Sequence, residues 1–334
     1  MAACDETVFM RRALALAYRS RGHTRPNPPV GAVIVKGGRI IGEGRHRRCG
    51  GDHAEVAALK DAVRRGHSAK GASVFVTLEP CSRAGRVGAC CDALIAAGVA
   101  RVVWAVPDPN PRNAARAARI LGRAGIETAC WQRLRLKADD PRRACVDEAE
   151  RLIAPFAKHV TTGLPYLTVK IAMSLDGRIC DDAGAAKWIS SARARRLTGR
   201  LREQVDVVMV GAETVRRDDP SLLSHGRPNR DLLRAVITRS GKLPPQARVF
   251  TDGARDRTLV FRPGRDGMRG VLRELGARGV LHVLCEGGLE LARSLAAEGL
   301  VDEWIAVLAP KVIGHRPLAS AAAIGNVAIV PDIW

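Results

Sequence analysis

Apolar positions in the first half of the chain switch repeatedly between helical and strand spacing, and a glycine closes most of the helical stretches. Phe9, Ala13, Leu16 and Ala17 recur on one helical face, with Asp5 placed to cap the helix that carries them. Residues 30–35 and 39–42 read as strands joined by Gly37 and Gly38, a two-residue turn in which both positions need φ > 0. A helix over 53–65 ends at Gly66, a strand covers 73–78, and a helix over 90–97 ends at Gly98. A strand over 101–106, a helix over 113–124 ending at Gly125 and a strand over 126–129 complete the series. Repeated helix–glycine–strand units predict an α/β layer fold, with helices packed on a sheet.

Between residues 132 and 158 the pattern loosens into charged helical sequence, and the turn Thr161-Thr162-Gly163-Leu164-Pro165 restarts the chain. The boundary is placed between 145 and 163, giving domains over 1–147 and 163–334. The second half predicts strands over 166–172, 205–210, 235–238, 258–261, 280–285 and 303–308, with helices over 191–203, 268–277 and 289–298. No repeat relates the halves, so two different α/β domains are expected.

Length agrees with that division, since 334 residues suit two domains of roughly 150 each. Aromatic residues are only 4% of a chain that is 46% apolar, so the cores are expected to be Ala, Val, Leu and Ile. No run of about 18 apolar residues occurs, which excludes an ordinary transmembrane helix. Asp5, Glu6, Arg11 and Arg12 interrupt the N-terminus, so a secretory leader is not expected. The expectation is a soluble, cytoplasmic chain without membrane partners. Nine cysteines, an odd and scattered set, fit a reducing compartment, so clustered cysteines point first to metal. The net charge of +20 comes from 45 Arg against 9 Lys, spread through every helix rather than drawn into one stripe. With two Tyr and five Phe to stack on bases, a nucleic-acid partner is not expected.

The sharpest chemistry is His53-Ala54-Glu55, followed by Glu79-Pro80-Cys81 and then Cys90. One imidazole and two thiolates make three tetrahedral zinc ligands with a fourth position free for water, the open form of a catalytic site. Coordination lowers the pKa of water from about 15.7 towards ~7. Glu55, two residues from His53, is the candidate catalytic acid/base, taking a proton from that water and delivering it to a leaving amine. Cys91, next to Cys90, leaves the register of the third ligand open. Cys4, Cys49, Cys130, Cys145, Cys180 and Cys285 read as structural. In the second half, Glu286-Gly287-Gly288 sits between a strand and a helix, where backbone N–H groups can approach a phosphate. No Gly-x-Gly-x-x-Gly is present, so a Rossmann dinucleotide site is not supported.

The segments Asn27-Pro28-Pro29-Val30-Gly31, His53-Ala54-Glu55, Thr77-Leu78-Glu79-Pro80-Cys81-Ser82 and Asp108-Pro109-Asn110-Pro111 closely resemble the deaminase half of the bacterial bifunctional riboflavin-biosynthesis deaminase–reductases. In the second half, residues 170–178, Lys187-Trp188-Ile189-Ser190, residues 210–215, residues 218–222 and 286–288 resemble the reductase half of the same family. The resemblance implies a cytidine-deaminase-like α/β/α layer fold followed by a dihydrofolate-reductase-like α/β fold. It implies Zn2+ and NADPH as cofactors. The implied substrate is a phosphorylated aminopyrimidine, 2,5-diamino-6-ribosylamino-4(3H)-pyrimidinone 5′-phosphate, which is deaminated and then reduced from ribosyl to ribityl. By the same resemblance Ala172, Trp188, Thr214, Asp218 and Gly288 would line NADPH. Asn27, Arg202, Leu222, His225 and Glu286 would meet substrate, with Arg202 a partner for its phosphate. A homo-oligomer is possible on this reading.

Four departures from the family pattern bear on substrate and on the reductase. Asn113-Ala114-Ala115-Arg116-Ala117 replaces a usual Gly-x-Gly segment, adding Cβ atoms where φ > 0 is needed. Arg83 and Gly88-Ala89 replace the usual His and Pro-Pro between the cysteines. His225 stands where an Arg is common, a weaker phosphate partner at neutral pH. The chain ends at Trp334, twenty residues after Gly314, so the usual terminal strand is expected to be missing or shortened. These departures motivate two rival readings: a divergent paralogue making a flavin- or azapteridine-like secondary metabolite with an impaired reductase, and a nucleic-acid deaminase.

Overall fold

Alternation along four strands sorts the helices of the first half into two layers. The computed structural model describes residues 3–82, 88–179, 190–224, 232–313 and 327–331, with side chains from Glu6 onward and none for the last segment. The chain divides into two compact units, Met1–Thr162 and Gly163–Trp334.

The first unit runs α1 (Ala3–Tyr18), β1 (Gly31–Lys36), β2 (Arg39–Arg45), α2 (Ala54–Arg64), β3 (Ser73–Leu78), α3 (Cys90–Ala96), β4 (Arg101–Val106), α4 (Ala117–Arg123), β5 (Glu127–Cys130) and α5 (Pro141–Thr162). The sheet order is β2-β1-β3-β4-β5. The β1–β2 and β1–β3 pairs are antiparallel and the rest parallel. Val33, Val35, Phe75, Val103 and Ala105 face one side, buried with Met10, Ala13 and Leu14 of α1 and Cys145, Ala149 and Leu152 of α5. Their neighbours Ala32, Ile34, Val74, Val76 and Trp104 face the other side, buried with Ala54 and Ala58 of α2, Leu94 of α3 and Leu121 of α4. This is the expected α/β/α sandwich, built mostly from small and branched aliphatics.

Gly37 and Gly38, at φ +57° and +73°, form the expected hairpin turn. Gly44 has a different task. A Cβ there would stand 2.1 Å from the Ala54 carbonyl oxygen and 2.3 Å from the Ala58 nitrogen, so α2 rests directly on β2. That close approach fixes the height of the residues at the start of α2 above the sheet.

Three expectations need correction. Asp5 falls inside α1 rather than before it, because the helix already begins at Ala3. The helix expected over 113–124 starts only at Ala117, because Ala115 takes a left-handed φ of +60° and the chain before it is drawn into a turn. Residues 148–162, left between the two expected domains, are the body of α5, a 22-residue helix packed on the first unit.

The second unit runs β6 (Tyr166–Ser174), α6 (Ala192–Arg202), β7 (Val207–Gly211), α7 (Ala212–Asp218), β8 (Leu233–Ile237), α8 (Arg248–Thr251), β9 (Thr258–Phe261), α9 (Gly267–Ala277), β10 (His282–Cys285), α10 (Leu289–Ala297), β11 (Glu303–Ala309) and β12 (Val327–Pro331). Its sheet has the order β12-β11-β6-β10-β7-β8-β9, with every pair parallel. Parallel strands covered on both faces read as continuous apolar runs, as in Val207–Gly211 with Val207, Val208, Met209 and Val210 all buried. α9 and α10 cover one face with Leu272, Leu275, Ala292 and Leu295. The last described strand, β12, pairs with β11 from Val327 opposite Trp304 to Pro331 opposite Leu308. No helix among the described residues is long and apolar enough to cross a membrane.

The contact at Gly44 generates a prediction. Gly44→Ala must push α2 off β2, and overpacking of this kind costs about 1–3 kcal/mol. The first unit of the variant is expected to unfold at lower denaturant than the wild type in a urea titration followed by far-UV circular dichroism. A midpoint equal to wild type would mean that the helix shifts without cost.

Candidate functional site

Three chain segments converge at the carboxyl end of β3. His53 is the extended residue immediately before α2, with φ −71° and ψ 164°. The segment leaving β3 carries Glu79, Pro80 and Cys81, and Cys90 is the first residue of α3. His53 Nδ1 lies 3.3 Å from Cys90 Sγ and 3.5 Å from Cys81 Sγ. The three donor atoms all fall within 4.8 Å of one another. Cys91 does not join them: it is buried in the core with Leu94, and its thiol points to the Pro80 carbonyl at 3.9 Å. Geometry therefore groups Cys90, not its neighbour, with His53 and Cys81.

Electrostatics show what the cluster needs. The Cys90 thiol and the Cys90 backbone N–H, the latter 3.2 Å from Cys81 Sγ, stabilise a thiolate at Cys81 and hold its pKa down to about 4 against the cost of burial. Cys90 is shifted upward because it gives its hydrogen bond to Cys81 and is itself buried. The His53 imidazole is raised, chiefly through its hydrogen bond to Cys81. One sulfur carries charge while the other keeps the proton, an arrangement that a cation between them would relieve. One nitrogen and two sulfurs at this spacing fit zinc with one position left open.

Glu55, in the first turn of α2, is 3% exposed. Burial, with the Cys81 charge adding to it, pushes its pKa up to about 7. A carboxyl near neutrality both accepts and returns a proton at working pH. The cavity in front of it has a volume of about 340 Å³, and Asn27, His46, Asp108, Asn113 and Phe156 line it. The Asn27 amide Nδ2 lies 3.1 Å from His46 Nε2, and His46 Nδ1 lies 3.0 Å from the Asp52 carbonyl oxygen. The carbonyl only accepts, so Nδ1 carries the hydrogen and Nε2 accepts from Asn27. Burial lowers the His46 pKa and keeps that neutral form. The amide is thereby fixed with Oδ1 as the end left for a ligand.

Glu79 explains how the chain accommodates Ala115 and Ala117. Its buried carboxylate accepts hydrogen bonds from the backbone N–H groups of Asp108, Ala115 and Ala117, each at 3.2 Å. Asn113 then joins the loop to the zinc-ligand segment: its Nδ2 donates to Asp108 at 2.6 Å, and its Oδ1 accepts from the backbone and hydroxyl of Ser82, each at 2.8 Å. The left-handed backbone at Ala115 costs about 1–2 kcal/mol relative to a relaxed one, and three bonds to one buried carboxylate hold it there. Sequence reasoning quoted Glu79, Asp108 and Asn113 but assigned them no role in the site, and His46 and Phe156 went unnoticed. Only Glu79, a carboxylate in an otherwise apolar strand end, carried a signal.

In the second unit the parallel strands end along one edge, with Ala172 of β6 opposite Val307 and Gly211 of β7 opposite Ile237. Ligands of open parallel sheets bind at this carboxyl edge. Thr214 lies in α7, Asp218 ends it, and Gly288 precedes α10 in extended backbone with open space where a Cβ would be. Gly287 differs, since a Cβ there would stand 2.7 Å from Leu291 Cδ2. Arg202 and Glu286 form a buried two-point ion pair at 2.7 and 2.9 Å, and Arg202 also donates to the Leu223 carbonyl at 3.1 Å. The expected phosphate partner is thus engaged with Glu286. Lys170 of β6 adjoins the pair, its pKa lowered by burial, with Glu286 acting in the opposite direction. Leu222 has φ +58° and its side chain is buried in the core, so only its backbone is placed to meet a ligand. Trp188 and His225 lie outside the described residues.

The comparisons with known proteins follow the same division. Residues 4–106 match the model of the cytidine and deoxycytidylate deaminase zinc-binding region, and residues 165–326 match that of the RibD C-terminal domain. The chain is 38% identical to riboflavin biosynthesis protein RibD of Escherichia coli (strain K12), over 98% of this chain and 94% of that protein. It is 34% identical to RibD of Aquifex aeolicus, over 92% and 87%. Among solved structures, Acinetobacter baumannii RibD superposes with a TM-score of 0.81 at 34% identity, covering 94% of this chain and 89% of that one. A Thermotoga maritima diaminohydroxyphosphoribosylaminopyrimidine deaminase/5-amino-6-(5-phosphoribosylamino)uracil reductase superposes with a TM-score of 0.78 at 33% identity, covering 89% and 84%.

The grouping of His53, Cys81 and Cys90 is checked by metal content. Cys81→Ser is expected to take bound zinc towards zero, whereas Cys91→Ser keeps one equivalent per chain, both measured by elemental analysis after gel filtration. A full equivalent in Cys81→Ser, or a loss in Cys91→Ser, would identify a different ligand set.

Proposed function

Because the chain belongs to the RibD family of bifunctional riboflavin-biosynthesis deaminase–reductases, we propose a division of labour among its own residues. The chain is a zinc-dependent deaminase and an NADPH-dependent reductase on one polypeptide. The first substrate is taken to be the one named for the Thermotoga protein, a diaminohydroxyphosphoribosylaminopyrimidine, and the second its deaminated product, 5-amino-6-(5-phosphoribosylamino)uracil. The observation that carries the deaminase assignment is the cluster of His53, Cys81 and Cys90, whose donor atoms lie within 4.8 Å of one another, with the buried carboxyl of Glu55 lining the same cavity.

His53, Cys81 and Cys90 hold the zinc, which when bound supplies the Lewis acidity that makes water a nucleophile near neutral pH. Glu55 carries one proton of the attacking water to the ring nitrogen and the second, from the resulting hydroxyl, to the ring amine, which leaves as ammonia while the ring carbon becomes a carbonyl. Water provides the carbonyl oxygen, so no further reactant is needed. Asn27, locked by His46, orients the pyrimidine ring in the cavity. The Glu79 and Asn113 bonds keep Asp108 and the loop after it in place beside the ligand segment.

In the second unit Ala172, Thr214, Asp218, Gly288 and Trp188 are assigned to NADPH, which when bound supplies the hydride that turns the ribosyl group into ribityl. Glu286, Arg202, the backbone of Leu222 and His225 are assigned to substrate. The Arg202–Glu286 pair presents a neutral, rigid wall whose two remaining guanidinium hydrogens are available to an anionic substrate. A cytoplasmic setting, expected from the odd and scattered cysteines, belongs to this reading. A small-molecule substrate, no nucleic-acid or membrane partner, and assembly into a homo-oligomer complete the reading.

Mass analysis of products from the diaminopyrimidine phosphate, with and without NADPH, tests both halves. Without NADPH the wild type is expected to stop at the deaminated compound, and with it to yield the ribityl product, two hydrogens heavier. Glu55→Gln is expected to retain zinc while losing ammonia release by several orders of magnitude, yet to reduce the deaminated compound normally. Ammonia release close to wild type in that variant would remove Glu55 from the mechanism.

A further inference from the structure

One buried cation lies outside both sites. Arg234, on β8, is 0% exposed, although arginine is almost never fully buried without a purpose for its donors. Asp252, the residue after α8, receives two of its hydrogen bonds, from Nη1 at 2.7 Å and Nη2 at 2.9 Å. The same two nitrogens also donate to backbone: Nη2 to the Val249 carbonyl at 2.8 Å, and Nη1 to the Ser221 carbonyl at 3.0 Å. The Ser221 contact is the informative one, because Ser221 precedes Leu222 in a segment that local preference alone would not hold.

That segment carries two non-glycine residues with left-handed backbone, Asp219 at φ +41° and Leu222 at φ +58°. Such conformations persist only where surrounding contacts over-determine them, and they cluster at ligand sites. Three contacts do so here. The Asp219 carboxylate accepts from the Arg248 backbone N–H at 2.7 Å, the Leu222 side chain is buried in the core, and Arg234 holds the Ser221 carbonyl. The next carbonyl along, that of Leu223, accepts from Arg202, whose other hydrogen bonds hold Glu286. A continuous path of hydrogen bonds and backbone thus runs from the inside of β8 to the pair assigned to substrate.

We propose that Arg234 is a positioning residue of the reductase, fixing residues 221–223 so that the Leu222 backbone and the Arg202–Glu286 pair stand ready for substrate. The planar fork is essential to this role, since it reaches Asp252, Val249 and Ser221 at once from a single rotamer. A lysine in its place keeps the charge for Asp252, but its three N–H groups radiate from one nitrogen and do not reproduce the spread fork in which Nη1 holds Ser221 and Nη2 holds Val249. The inference rests on the reductase reading of Glu286, Arg202 and Leu222.

The test uses the full-length protein, in which ammonia release by the other unit reports on integrity of the chain. Arg234→Lys and Arg234→Met are compared with wild type for reductase kcat and KM towards 5-amino-6-(5-phosphoribosylamino)uracil, and for NADPH dissociation by fluorescence. The expected result is a rise in substrate KM of tenfold or more in Arg234→Lys, with NADPH dissociation within twofold and ammonia release unchanged. Should Arg234→Met lose NADPH binding altogether through misfolding of its unit, Arg234→Lys decides alone. A wild-type substrate KM in Arg234→Lys, or an equal weakening of substrate and NADPH, overturns the proposal. Glu286→Gln run in parallel separates the premise. Unchanged reduction there removes the site assignment itself, while a strong effect there with none in Arg234→Lys removes only the role of Arg234.

Discussion

Crowding an imidazole nitrogen and two sulfurs within 4.8 Å of one another is the constraint on which the first unit turns. Left to themselves these groups divide a single proton, with Cys81 driven towards thiolate and Cys90 away from it. The fold holds them together regardless. α2 is seated on β2 through Gly44, β3 delivers Cys81, and α3 opens on Cys90 with its first N–H turned to the Cys81 sulfur. Each donor comes from a different segment, so the cluster exists only when the sheet and both helices are in register. The same burial that makes the cluster demand a cation raises Glu55 to about 7, placing a proton carrier where the chemistry needs one.

Much of this was legible in the sequence because it depends on short-range rules. Gly37 and Gly38 form their turn through backbone freedom alone, and strands such as Ser73–Leu78 and Arg101–Val106 are continuous apolar runs between clear stops. His53, Glu55, Cys81 and Cys90 are recognisable because zinc chemistry restricts both residue type and order. What escaped is long-range and mediated by backbone. Glu79 holds three N–H groups 29 to 38 residues downstream, and although its place at an apolar strand end marks it as unusual, nothing in the local pattern names those partners. The missing first turn of α4 is the same fact seen from the other end, since helical propensity in 113–116 yields to those bonds. Leu222, expected to meet substrate, combines a buried side chain with an exceptional backbone that no local pattern announces.

The basic excess also takes on a structural meaning. Many of the arginines are engaged with acids of their own unit: Arg12 with Glu43, Arg101 with Glu6 and Glu127, Arg217 with Glu213, Arg273 with Asp266. Exposed pairs of this kind contribute little stability each. Two part-buried pairs, Arg202–Glu286 and Arg234–Asp252, are different in kind, the second because its guanidinium is fully buried. Removing one partner of a buried pair leaves an uncompensated charge, at a cost of about 3–5 kcal/mol, so such pairs are retained for the geometry they impose. Glu286, just after β10, puts the first pair at the carboxyl edge of the parallel sheet where ligands of this fold bind, whereas Arg234 lies near the amino end of β8. The two units thus reach the same end differently: the first fixes its site with glycine contacts and a carboxylate clamp, the second with guanidinium forks.

X-ray absorption at the zinc edge tests the central claim most directly. The account requires one zinc per chain, with two sulfur neighbours at about 2.3 Å and nitrogen or oxygen neighbours at about 2.0–2.1 Å, one of which exchanges when a ligand enters. A shell of three or four sulfurs, a shell without sulfur, or a protein that stays folded and releases ammonia with no zinc bound would contradict it.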